Sequence, residues 1–175
     1  RFEEVAKVIE QFSGDQANEW RPYSFARRSA AENEPDRDAD VVLLDSLGEL
    51  RAAYPLAEIV FVGGSLIPHG GQSILEPAAA GKAIVTGPHT HNFEEVIRTF
   101  IGSNAVVRLG EYTGGQMADE IFFALSDLLE NAGRRNELGR NAAAVMKANR
   151  GATRKTIDAL KPLISEQPRM NRQLR

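Results

Sequence analysis

The sequence predicts an α/β fold: a Rossmann-like parallel sheet with helices on both faces, followed by C-terminal helices. Three observations lead there. Short runs rich in Val, Ile and Leu alternate with amphipathic stretches of about ten residues, the signature of βαβ units. Two of those runs break into glycine at their ends, at Gly63-Gly64 and at Gly87. Beyond Arg134 the pattern turns wholly helical.

The elements follow in order. Val5, Val8, Ile9 and Phe12 lie on one face of a helix over Glu3 to Phe12, with Gly14-Asp15 as its stop. Tyr23 to Ser29 reads as a short strand and Ala31 to Asp38 as a surface loop. Asp40 to Leu44 is nearly all apolar, as suits a strand covered on both faces. Ser46 and Glu49 have capping-box spacing for a helix over Leu47 to Leu56. Strands are expected over Glu58 to Val62, Ala83 to Thr86 and Ala105 to Leu109, and helices over Ile74 to Ala80 and Phe93 to Ile101. Met117 to Glu130 is amphipathic, with Ile121, Leu125, Leu128 and Leu129 expected in the core. Helix continues from Arg134 to about Ile164, punctuated by Gly139, Gly151 and Pro162. One domain over residues 1–164 and a flexible basic tail over 165–175 are expected.

Composition narrows the function classes. A chain of 175 residues can bury a full core. A formal charge of −3 gives no global field for nucleic acid. The basic clusters Arg27-Arg28, Arg134-Arg135 and Arg169, Arg172, Arg175 read as solvated surface. The absence of cysteine removes disulfides, thiolate metal sites and a cysteine nucleophile. No apolar run approaches the ~20 residues that span a bilayer, and no signal-peptide pattern precedes the first helix. The chain opens on Arg1 rather than Met, so a piece of a longer protein is expected.

Ligands of open α/β sheets bind outside the carboxyl ends of the strands. Gly63-Gly64-Ser65 stands at one such end, and Gly70-Gly71-Gln72-Ser73 follows just before a helix. Either could be a tight turn; two around one short loop also suit backbone amides cradling a phosphate. Glu76 has two readings. Ser73-Ile74-Leu75-Glu76 has the spacing of a capping box. Pro77, however, fits best as the first helical residue, which puts Glu76 at the cap, able to accept from two ribose hydroxyls. Glu49 is similarly divided between capping and a share in a nucleobase site. His69, His89 and His91 lack the paired carboxylates of a metal site, Lys82 suits a helix end, and Trp20 and Phe93 read as packing residues. There is no GxxxxGK[ST], no GxGxxG after a strand and no GxSxG, so the P-loop, dinucleotide and α/β-hydrolase fingerprints are missing. What remains suggests a sugar-nucleotide site.

The run FVGGSLIPHGGQSILEPAAAGKAIVTGPHTHNFEE closely resembles the C-terminal domain of the 3-deoxy-D-manno-octulosonic acid (Kdo) transferases. Asp45 to Leu50 (DSLGEL) is similar to the family's other nucleotide motif, and FARRS and KANRGA also fit. The likeness runs from Arg1 to about Leu160. It implies the C-terminal half of a GT-B glycosyltransferase, which binds CMP-Kdo while the N-terminal half holds a lipid A precursor. By that resemblance Leu47, Gly48, Glu49, Ser73, Ile74, Leu75 and Glu76 contact CMP, with Glu76 on the ribose. Gly63, Gly64, Ser65, Gly70, Gly71 and Gln72 shape the loops around phosphate and sugar.

No metal, no cofactor and no nucleic-acid partner are expected, and the fragment is expected to be soluble. Membrane association and the general base are expected from the N-terminal region, and the whole protein at the cytoplasmic face of the bacterial inner membrane. No catalytic residue is therefore expected in this chain. Two departures stand out. The family usually has Asn where Ser73 stands, and a Pro-Arg-His-Pro-Glu segment normally precedes the Arg-Phe that opens this sequence. The other readings are half of a UDP-sugar-using GT-B glycosyltransferase or epimerase, and a non-catalytic α/β binding module.

Overall fold

The computed structural model describes residues 2–13, 23–30, 38–111 and 116–165. The helix stop expected at Gly14-Asp15, the packing of Trp20, the loop over 31–37 and the tail over 166–175 lie outside the described residues. The chain divides into two compact units, Arg1–Ala53 and Tyr54–Arg175.

The first unit contains helix α1 (Phe2–Ser13), strand β1 (Phe25–Arg27), strand β2 (Val41–Leu43) and helix α2 (Leu50–Ala53). β1 and β2 pair in parallel, Phe25 opposite Val41. The apolar stripe of α1 does not form its buried face. Val5, Val8 and Phe12 are 41%, 52% and 55% exposed, and Ala6 is the residue that is buried. Val42 is exposed as well, so β2 is not covered on both faces. Nor is Arg27 a solvated surface residue. Its guanidinium pairs with Glu3 at 2.7 Å and with Asp45 at 2.8 Å, and the Asp45 side chain is 2% exposed.

The second unit holds β3 (Ile59–Val62), α3 (Leu75–Ala79), β4 (Ala83–Thr86), α4 (Glu94–Gly102), β5 (Val107–Arg108), α5 (Gln116–Glu130), α6 (Ala132–Ala148) and α7 (Ala152–Ser165). Its sheet runs β3-β4-β5, every pair parallel. β4 is central, and all four of its residues are buried, as a Val/Ile-rich strand between two helical layers must be. Successive side chains alternate faces. Ile84 enters a cluster with Ile74 just before α3, Ala78 of α3, Ile97 and Phe100 of α4, and Ala142 and Val145 of α6. Ala83 and Val85 enter another with Leu128 of α5 and Leu138 of α6.

Helices thus lie on both faces, as predicted. Burying a ring such as Phe100, 1% exposed, contributes about 1.5–3 kcal/mol.

Several expectations are corrected here. Leu129 is 62% exposed, because the core stripe of α5 ends with Leu128. Gly139 does not punctuate α6 but packs inside it: a Cβ there would collide with the Gly81 carbonyl oxygen. Pro162 lies within α7. Arg135 is not solvated surface either. It donates to the Leu128 and Leu129 carbonyls that end α5, at 2.6 and 3.0 Å, and pairs with Glu58 at 2.7 Å.

Candidate functional site

At the carboxyl end of β3 the chain enters a 3-10 turn, Gly63–Ser65. The Ser65 side chain is fully buried. Its hydroxyl donates to the Val62 carbonyl at 2.5 Å and accepts from Thr86 Oγ1 at 2.9 Å and the Gly87 N–H at 2.6 Å. Ser65, expected to shape the loop around phosphate and sugar, ties the ends of β3 and β4 together, its hydroxyl engaged inside the protein. The next segment is fastened from above. Gln72 lies over Gly64, where a Cβ would meet its Cγ at 2.5 Å.

Gly70 and Gly71 both have positive φ, +93° and +82°. That conformation suits glycine, and close neighbours reinforce the requirement. A Cβ on Gly70 would collide with the Asn92 amide, and one on Gly71 would sit 2.9 Å from the His89 carbonyl oxygen. Asn92 N–H donates to the Gly70 carbonyl at 3.1 Å, and His89 N–H to the Ser65 carbonyl at 3.0 Å. The two loops that follow β3 and β4 are therefore knitted into one rim. Among the described residues, the main-chain N–H groups of Gly71, Gln72 and Ser73 find no protein acceptor. Such a row of free donors is what an anion-binding loop presents.

Helix α3 begins just beyond. Neither sequence reading of its cap is right: Ile74 occupies the N-cap position, and its carbonyl accepts from Ala78 N–H at 3.1 Å. Pro77 falls in the first turn, where a missing N–H is not needed for the helical ladder. Ser73 contributes only a long contact, its Oγ accepting from Leu75 N–H at 3.4 Å. The Ile74 side chain is fully buried in the core, so of that residue only the main chain could meet a nucleotide.

Glu76 lies exposed in the first turn of α3, and its carboxylate takes no hydrogen bond from the described residues. It stands near Tyr54, whose phenol pKa is raised by burial and further by the Glu76 charge. Lys82, past the end of α3, donates to the Pro55 carbonyl at 2.8 Å. Phe93 packs against the core, as read.

The DSLGEL segment belongs to the first unit. Asp45, just beyond β2, accepts from Ser29 N–H at 2.8 Å and Ser29 Oγ at 2.6 Å as well as from Arg27. These partners, the Ser29 hydroxyl foremost, hold its carboxyl down at about 2. The helix expected from Leu47 starts only at Leu50. Gly48 at φ +88° breaks the chain, and the Ser46 hydroxyl donates to the Glu49 side chain instead of capping. Arg28 adds an ion pair to Glu49 at 3.3 Å. The Ser46 bond and then Arg28 lower the Glu49 pKa. Glu49 is thus engaged where Glu76 is not, and Leu47 is 91% exposed.

Sequence reasoning missed a cleft of about 340 Å³ beside the rim, lined by His89, His91, Arg98, Arg108 and Glu111 among others. The glycine loops do not line it, though His89 touches both. Among the described residues no three His, Asp or Glu side chains gather as a metal site.

Parallel strands between helical layers, with a glycine rim at their carboxyl ends, define the class: a Rossmann-like α/β domain whose ligand site lies at the strand ends. No family model matches the chain. Related proteins do. The 3-deoxy-D-manno-octulosonic acid transferase of Haemophilus influenzae is 38% identical over 164 residues, 94% of this chain and 35% of that protein. That of Bordetella pertussis is 40% identical over 160 residues, 91% and 34% respectively. The crystal structure of the C-terminal CMP-Kdo binding domain of WaaA from Acinetobacter baumannii superposes with a TM-score of 0.66 at 31% identity, covering 83% of this chain and 68% of that one.

The chain belongs to the Kdo transferase family and has the fold of its C-terminal domain. It spans about a third of the length of the curated relatives it matches.

Proposed function

We propose that this chain is the donor-binding part of a glycosyltransferase that moves Kdo from CMP-Kdo to a lipid A precursor. The observation that carries the reading is the combination of main-chain donors at Gly71, Gln72 and Ser73 with an exposed Glu76 carboxylate, none of them hydrogen-bonded within the described residues. In this reading Glu76 accepts from the ribose hydroxyls of CMP. The loop amides bind the phosphate and stabilise the charge that grows on it as CMP departs. Gly63 and Gly64 shape the loop beside it, Gly64 leaving room for the Gln72 side chain to lie over it. Leu47, Gly48 and Glu49 take their share in nucleotide binding from the family motif alone.

The acceptor hydroxyl attacks the anomeric carbon of Kdo, and the C–O bond to the phosphate breaks. The base that takes the hydroxyl proton comes from the N-terminal part of the whole enzyme, as does the acceptor site. No metal is needed in this scheme, because backbone donors carry the phosphate charge. The whole protein then serves lipopolysaccharide synthesis at the cytoplasmic face of the inner membrane.

Calorimetric titration of CMP, UMP and UDP tests the reading. The chain is expected to prefer CMP, and Glu76→Ala to weaken CMP by about tenfold or more, the scale of charge-assisted hydrogen bonds lost. A preference for UDP would defeat the CMP assignment, and unchanged CMP affinity in the variant would defeat the role of Glu76.

A further inference from the structure

The missed cleft carries an inference of its own, resting on the donor reading above. Arg108 ends β5 directly across from Thr86, the last residue of β4. Its guanidinium reaches over the strand end and donates to the Pro88 carbonyl at 2.7 Å. Guanidinium has five N–H donors, and among the described residues this is the one bond Arg108 makes; no carboxylate lies within ion-pair distance.

The other arginine of the cleft is different. Arg98 is matched by Glu94 at 2.7 Å. Arg108 is therefore a cation fixed by a neutral carbonyl, with its remaining fork of donors uncommitted.

The surroundings suit a polyol. His89, His91 and Glu111 line the same cleft and make no side-chain hydrogen bond within the described residues. They can donate to or accept from hydroxyls, while a planar guanidinium matches a carboxylate two-pronged. A volume of about 340 Å³ falls at the small end of ligand sites, which run from roughly 300 to 1,000 Å³. The cleft also begins where the phosphate loop ends. His89 lines it, and the His89 carbonyl is the group against which Gly71 is packed. A phosphate on the amides of residues 71–73 would leave its sugar at the mouth of this cleft.

We propose that the cleft is the sugar-acid subsite of the donor, with Arg108 binding the carboxylate and His89, His91 and Glu111 reading the hydroxyls. Arg108 is then the residue that separates a nucleotide bearing an acidic sugar from the bare nucleotide.

Titrating CMP and CMP-Kdo into the chain and into Arg108→Gln tests this. The parent should bind CMP-Kdo more tightly than CMP. Arg108→Gln should lose about tenfold or more toward CMP-Kdo, as expected when a charged hydrogen-bonded pair is removed, and leave CMP unchanged. Arg108→Lys keeps the cation and a donor for Pro88, and should recover part of the loss. Equal weakening of both ligands, or an undiminished CMP-Kdo affinity, overturns the proposal while the nucleotide site stands. A parent that binds neither ligand overturns the donor reading and this one together.

Discussion

Thr86 donates to Ser65 at 2.9 Å, side chain to side chain, joining the carboxyl ends of two neighbouring parallel strands. Both residues are fully buried. Ser65 also satisfies the Gly87 N–H, so one hydroxyl closes the polar gap that opens where the β3-β4 ladder stops. Ser65→Ala leaves the Thr86 hydroxyl and the Gly87 amide buried without an acceptor. The expected cost is about 1–3 kcal/mol, read as a lower denaturation midpoint with unchanged slope. A midpoint equal to the parent's would mean that the strand ends are held by other contacts.

Glycine is required at Gly71 for two reasons and at Gly48 for one. Both have positive φ, but a Cβ on Gly48 meets nothing within 4 Å, whereas one on Gly71 presses on the His89 backbone. Gly48→Ala is expected to cost about 1–2 kcal/mol, the strain of a left-handed alanine. Gly71→Ala adds an overpacking term of about 1–3 kcal/mol, because backbone cannot swing aside as a side chain can. Thermal unfolding of the two variants side by side should therefore rank Gly71→Ala clearly below Gly48→Ala.

What the sequence made legible follows the same division between local and distant causes. β4 was readable because Ala83 to Thr86 is an apolar run and is covered on both faces. The stripe of α1 was readable as helix, yet Val5, Val8 and Phe12 ended outside, since periodicity says which residues share a face and not what that face meets. Ser46 and Glu49 have box spacing, but Gly48 turns between them, and spacing alone cannot tell a capped helix from a hydrogen-bonded loop.

In the candidate site, the glycine pairs and Glu76 were visible as exceptions to local patterning. Arg108 was not. Twenty residues separate it from Pro88, and only the parallel pairing of β4 with β5 brings the two together.

Asp45 is expected to dominate the acid limb of the first unit, ahead of Glu3 and Glu49, whose pKa values are also lowered. Its carboxyl, held at about 2 chiefly by Ser29 and also by Arg27, lies below the ordinary value near 3.9. A group depressed in this way contributes stability in full above its unfolded pKa and loses it as pH falls through the folded one. Amide exchange of α1 and β1 should thus be steady from pH 7 to about 4.5 and quicken, after correction for intrinsic rates, between about 4 and 2. Asp45→Asn should weaken protection at pH 7 and show a flatter acid limb. A variant with the parent's full pH dependence would assign that limb to other carboxylates.

Glu49 and Glu76 are both acidic residues at helix starts, and the structure gives them different surroundings. Glu49 is engaged by Ser46 and Arg28, which lower its pKa, so part of its charge serves the fold. Glu76 is exposed and makes no internal hydrogen bond among the described residues. Glu49→Gln should therefore lower stability slightly at pH 7, an effect that fades as the pH falls and the parent's own carboxylate becomes protonated. Glu76→Gln should move the denaturation midpoint only by the helix-dipole contribution of about 0.3–1 kcal/mol, since no described residue hydrogen-bonds to that carboxylate. CMP affinity should respond most to Glu76, because an amide offers a ribose one acceptor oxygen in place of two charged ones. A Glu76→Gln protein destabilised well beyond that dipole contribution would show the carboxylate serving the fold, and would remove the main reason for assigning it to the nucleotide.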